Sequence, residues 1–263
     1  MKRLGLILLL LLLSGCFGSG YRVSDGAPSN SPDVSHVPNA TPRYEPRARY
    51  GNPASYEVNG RRYHVKQESK GYRERGIASW YGTKFHGKLT STRERYDMLG
   101  MSAAHKSLPL PTYAEVTNLH NGRSVVVRIN DRGPFHDNRL IDLSYAAAKK
   151  LGILAKGTGL VEVRAINPGT PRLHQAIRPV GIDPDASIYL QLGAFRDRQN
   201  AERLRQRVAT EAAIKAIKVS EVSSLLDTFY RVRIGPLASV ESADRITQQL
   251  SRHGIDPPRV VID

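Results

Sequence analysis

Three side chains capable of proton chemistry fall at turn-like breaks within residues 76–142. They are Glu94 in TSTRERYDM, His105 in SAAHKSLPLP and Asp131 in VVVRINDRGPF. Trp80, Tyr81, Phe85, Tyr96 and Phe135 lie near them in the chain. A carboxylic acid, a second carboxylate, a histidine and flat apolar rings suit cleavage of a glycosidic bond. The acid protonates the leaving oxygen, a negative group steadies a positively charged sugar, and the rings hold the polymer. Each residue also has a plainer reading. Glu94 would be a solvated charge on a surface turn, Asp131 an Asx-turn residue bonding its own loop, and His105 a structural imidazole. His86, His120 and His136 lack the spacing of a metal site, and no metal or other cofactor is expected.

The elements around these residues read as short strands. Residues 77–81 and 114–118 alternate, 124–129 are β-branched and apolar, and 160–166 alternate again. Turns are signalled at Asn121-Gly122 and Gly133-Pro134. One helix is predicted, with Ser144 as N-cap, 146–151 as body and Gly152 as stop. Several short strands with a single helix suit a small closed β-barrel.

The runs GIASWYGTKFHGKLTSTRERYDM (76–98), SAAHKSLPLPTYAEVTNL (102–119), SVVVRINDRGPF (124–135) and RLIDLS (139–144) together resemble the rare lipoprotein A family. The resemblance covers about residues 71–168 and implies a six-stranded double-psi, or barwin-like, β-barrel. It also implies an endolytic peptidoglycan lytic transglycosylase. Glu94 would then be the general acid, Asp131 the second catalytic carboxylate and His105 an orienting or sugar-binding group. Trp80, Tyr81, Tyr96 and Arg132 would contact substrate. One departure from the family pattern stands beside the acid: Thr92-Arg93 replaces the usual Asn-Gly. Glycine takes positive φ freely and arginine only at a cost. Arg93 and Arg95 also favour an ionised carboxylate between them.

The chain has 263 residues and a formal charge of +15. Such a basic chain suits anionic partners, whether nucleic acid, phospholipid headgroups or an acidic wall polymer. The first residues, MKRLGLILLLLLLSGC, decide among these. A basic start, an apolar run too short to span a bilayer, and Leu13-Ser14-Gly15-Cys16 resemble a lipoprotein signal, residues 1–16. Cys16 is the only cysteine and is expected to carry the lipid. An exported, lipid-anchored protein does not meet nucleic acid. The resemblance places the anchor in the outer membrane, facing the periplasm. Residues 17–70 are expected to form a disordered or partly ordered tether. Near its end, Asn59-Gly60 marks a tight hairpin.

Residues 169–184 read as a Pro-rich linker. Residues 185–263 contain an internal repeat that aligns Gly193 with Gly235. Each half is a strand followed by an amphipathic helix and a further strand, giving βαββαβ with an antiparallel sheet and both helices on one side. YLQLGAF (189–195) and YRVRIGPL (230–237) resemble the SPOR domain, whose family binds peptide-free glycan strands at division sites. Leu190, Leu192, Val232 and Ile234 should face the helices, and Gln191, Arg231 and Arg233 the open sheet face. The expected function is cleavage of the MurNAc–GlcNAc β-1,4 bond of peptide-free glycan at the division septum, with a 1,6-anhydro product. Division-site proteins are further expected partners. The alternative is a non-catalytic, expansin-like wall-binding lipoprotein.

Overall fold

The structure is a computed structural model and describes residues 25–168, 182–223 and 227–263. The signal segment with Cys16 lies outside the described residues, as does most of the linker. Two short strands come first, β1 (Ser55–Val58) and β2 (Arg61–His64), paired antiparallel across Asn59-Gly60. Both turn residues have positive φ, 52° and 74°. That is the geometry this dipeptide favours in a two-residue hairpin.

A closed six-stranded barrel follows. It is built from β3 (Arg73–Tyr81), β4 (Ser102–His105), β5 (Thr112–Asn118), β6 (Ser124–Asp131), β7 (Arg139–Ser144) and β8 (Gly159–Ile166), joined in the order β3-β7-β4-β6-β5-β8. The β3–β7 and β4–β6 pairs are parallel and the remaining pairs antiparallel. The core is aliphatic: Val127, Ile129, Ile141, Leu143, Val161 and Val163 are all fully buried. The helix α1 (Tyr145–Leu151) follows β7 directly. Ser144 caps it by accepting the Ala147 N–H, and Gly152 ends it at φ 77°.

Within the segment expected as a disordered or partly ordered tether, residues 25–54 are laid against the barrel. Val34 is buried against the barrel, the Ala40 N–H donates to the Val126 carbonyl, and the Ala48 N–H donates to the Leu110 carbonyl. Asn52 bonds Leu110 through both its amide nitrogen and its oxygen. Single residues and backbone groups make these contacts, so no apolar period announces them.

The C-terminal domain has the expected order: β9 (Ile188–Phe195), α2 (Arg198–Glu211), β10 (Ile217–Ser223), β11 (Thr228–Leu237), α3 (Val240–Arg252) and β12 (Arg259–Ile262). The strands form one antiparallel sheet, β10-β11-β9-β12. Leu190, Val232 and Ile234 are fully buried and Leu192 is partly so, on the helix side. The apolar cluster runs on into the barrel through Ile77, Leu119 and Leu160. Asp244 of α3 accepts two hydrogen bonds from the Arg139 guanidinium and one from Asn138.

Candidate active site

The site is built on a turn. The Tyr96 N–H donates to the Lys88 carbonyl and the Thr90 N–H to the Glu94 carbonyl, which folds residues 87–96 into a small hairpin. At its tip the Arg93 N–H donates to the Thr90 carbonyl, and Arg93 lies at φ 71°. The loop therefore takes the left-handed conformation that a glycine would supply, with arginine in its place. The Arg93 guanidinium rests over the Tyr50 ring, 5.4 Å from its centre.

Glu94 leaves this turn and meets β6. Arg128 donates to its two oxygens at 2.7 and 3.0 Å, and Asn130 Nδ2 donates to Oε2 at 2.7 Å. Burial pushes the Glu94 carboxyl up, but the hydrogen bonds from Arg128 and Asn130 and the Arg128 charge outweigh it, leaving the group below the usual carboxylate range. Asp131 is tied to the same turn from the other end. Its Oδ1 accepts from the Ser91 N–H at 2.8 Å, the Ser91 hydroxyl at 2.6 Å and the Arg132 N–H at 2.7 Å. Thus Glu94 is bonded to the neighbour of Asp131, and Asp131 to a residue three places before Glu94. Strand alternation sets Arg128 and Asn130 on one face of β6 and Asp131 on the other, at the strand end. The turn wraps that end. The Asx-type role foreseen for Asp131 is filled by Oδ1, while Oδ2 accepts no hydrogen bond among the described residues.

His105 does not join the carboxylates. It is buried, and its Nδ1 accepts the backbone N–H groups of Ser107 and Leu108. This leaves the proton on Nε2, which bonds the Tyr72 hydroxyl at 2.9 Å. Tyr72 in turn donates to Glu74. Burial, with the charges of Arg132, Lys106 and Lys66, pushes the His105 pKa down to about 3. The imidazole is a neutral structural group with both nitrogens occupied.

Three residues expected to contact substrate, Tyr81, Tyr96 and Arg132, are occupied within the chain. Tyr81 and Tyr96 are buried and stack on each other with ring centres 4.1 Å apart, and the Tyr96 hydroxyl donates to the Tyr81 carbonyl. Arg132 is spent on backbone: it donates to the carbonyls of Gly51, His105 and Leu108 and to Asn52 Oδ1. Trp80 is half-buried, with its ring edge-on to Tyr145. The exposed rings of the barrel domain are instead Tyr44, Tyr50, Phe85 and Phe135. Arg128 and Asn130 went unforeseen, although polar residues at alternate positions of VVVRIND could have marked a polar face on that strand.

In the C-terminal domain, Gln191, Arg231 and Arg233 are half-exposed. Gln191 and Arg233 are cross-strand neighbours, joined by a 3.4 Å hydrogen bond, and Arg233 also pairs with Asp263. A groove on this sheet brings Gln191, Arg231 and Arg233 beside Arg73 and Arg75 of the barrel.

Residues 73–164 match the family described as lytic transglycolase, and residues 184–258 match the SPOR domain family. A Vibrio cholerae relative named endolytic peptidoglycan transglycosylase RlpA is 39% identical over 253 residues, covering 95% of this chain and 93% of its own. A Pseudomonas aeruginosa relative of the same name is 37% identical over 289 residues, covering 90% and 84%. The crystal structure of the RlpA SPOR domain from Pseudomonas aeruginosa shares 28% identity, covers 28% of this chain and 96% of that one, and has a TM-score of 0.26. With the barrel, the sheet domain and nearly the whole length matched to its relatives, the chain belongs to the RlpA family of endolytic peptidoglycan transglycosylases.

Proposed function

We propose that this protein is a peptidoglycan lytic transglycosylase that cleaves peptide-free glycan strands between N-acetylmuramic acid and N-acetylglucosamine. The observation that carries this reading is the single turn that bears Glu94 and, through Ser91, binds Asp131. Family membership supports it. Glu94, protonated, gives its proton to the glycosidic oxygen as the C1–O bond breaks, and the bond electrons leave with that oxygen. Asp131, through its unbonded Oδ2, offers negative charge to the sugar cation. The 6-hydroxyl of the same muramic sugar closes on C1 and returns its proton to Glu94, so a 1,6-anhydro end forms without water. The SPOR domain holds the glycan through Gln191, Arg231 and Arg233, whose polar and guanidinium groups suit hydroxyls and carboxylates. A lipid on Cys16, anchorage in the outer membrane and action at the division septum complete the reading.

Peptide-free glycan incubated with the full chain should acquire new anhydro ends, read by mass spectrometry. Glu94→Gln and Asp131→Asn should each abolish them, and full activity in either variant removes that residue from its role. The second reading, a wall-binding protein without cleavage, is favoured by the grip of Arg128 on Glu94, which holds the acid ionised. Unchanged glycan with the unaltered chain would establish it.

A further inference from the structure

Glu94 is held by Arg128, and Arg128 is held by a carboxylate from outside the barrel. Glu45 lies on the arm that precedes β1. Its Oε1 accepts from Arg128 Nε at 3.0 Å and its Oε2 from NH2 at 2.8 Å, while the same guanidinium gives NH1 and NH2 to Glu94. The Tyr113 hydroxyl and Arg43 Nε also donate to Glu45. The Glu45 and Arg128 side chains are 18% and 21% exposed and that of Glu94 is 43%. A sequestered pair therefore anchors a wet carboxylate. The arm is fitted closely here: a Cβ on Gly51 would stand 3.0 Å from the Ser91 carbonyl oxygen, on the turn itself. A cavity beside the turn has Val37, Asn39 and Thr41 of the arm on one wall and Ser102, Arg128 and Asn130 of the barrel on the other.

We propose that Glu45 is a positioning residue of the catalytic site, acting through Arg128 on Glu94. The inference rests on the reading of Glu94 as the acid. The groups facing Glu94 are Arg128 and Asn130 from β6 and Glu45 beyond Arg128 from the arm. Tyr50, also on the arm, faces Arg93 on the turn, and Arg95 is turned to the Gly87 carbonyl. Glu45 divides the charge of Arg128. Without it the whole guanidinium charge falls on Glu94, which then gives up its proton more readily. A residue that served only the fold would lower stability and rate without moving the pH dependence.

The test is the pH profile of kcat/KM for the full chain on purified peptide-free glycan, read as anhydro ends. In Glu45→Gln the high-pH fall-off should move down by about 0.5 unit, leaving about threefold fewer protonated acids at neutral pH. Glu45→Asp, one methylene shorter, should move it the same way by less. A folded Glu45→Gln with an unmoved profile overturns the proposal, even where its rate is reduced. Should Glu45→Gln fail to fold, an unmoved profile in Glu45→Asp overturns it equally. Glu94→Gln separates the two levels. If that variant still cleaves, the reading of the acid has failed. If it is inactive while the Glu45 profiles stay fixed, only this inference has failed.

Discussion

Arg93 occupies a conformation that L-residues enter at a cost, and its own side chain recovers part of that cost over Tyr50. Replacement by glycine removes strain of about 1 kcal/mol and a cation–π contact of about 0.5–1 kcal/mol. Arg93→Gly should therefore unfold in urea within about 1 kcal/mol of the unaltered chain, whereas the β-branched Arg93→Val should lose about 1–2 kcal/mol. Glu45 gives a second residue-scale expectation. Hydrogen bonds from Arg128 outweigh the upward push of burial, and Tyr113 and the Arg128 charge add to them, lowering its carboxyl from 4.5 to about 2. A depressed folded pKa means stability that is present above the unfolded value and lost as pH falls toward the folded one. The Tm of the unaltered chain should exceed that of Glu45→Gln near pH 6, and the gap should close between pH 4.5 and 2. A gap that widens on acidification would contradict the clamp.

At the scale of elements, β4 and the residues after it are organised by His105 rather than for catalysis. Its ring satisfies the Ser107 and Leu108 N–H groups in a buried corner. His105→Ala leaves those donors unmet and opens a cavity, so it should cost about 3 kcal/mol or more by thermal unfolding. Below its lowered Tm, the folded variant should keep cleaving glycan, because the ring touches neither carboxylate. Activity lost with stability intact would restore His105 to the mechanism. Alternation on β6 was legible in VVVRIND, since β-branched residues facing a core leave alternate positions for water. The strands at 102–105 and 139–144 offered no such contrast. Three of the four residues of β4 and three of the six of β7 are buried, and in both strands buried positions are adjacent as well as alternate. The arm at 25–54 was illegible for another reason. Its Pro- and Gly-containing chain contributes backbone bonds and isolated side chains to a surface that exists only once the barrel has closed.

At the scale of the whole molecule, the barrel and the sheet domain are joined through Asp244. It meets Arg139, whose side chain is only 9% exposed, and accepts from Asn138, which also donates to Thr247. Asp244→Ala strands a sequestered guanidinium at the junction and should cost about 2–4 kcal/mol. Hydrogen exchange should quicken at residues 138–139 and at Ile77, which shares the joint apolar cluster; unchanged exchange there would mean the ion pair does not hold the domains together. Sequence by itself determined the barrel class, the βαββαβ repeat and the capped helix, because local period, turn chemistry and motif spacing are written in neighbouring residues. Only tertiary structure decided that His105, Tyr81, Tyr96 and Arg132 are turned inward, that Arg128 and Asn130 grip Glu94, and that an arm fifty residues upstream reaches the same turn. Those outcomes depend on which surfaces remain wet after closure, and burial is a property of the folded solid rather than of any stretch of chain.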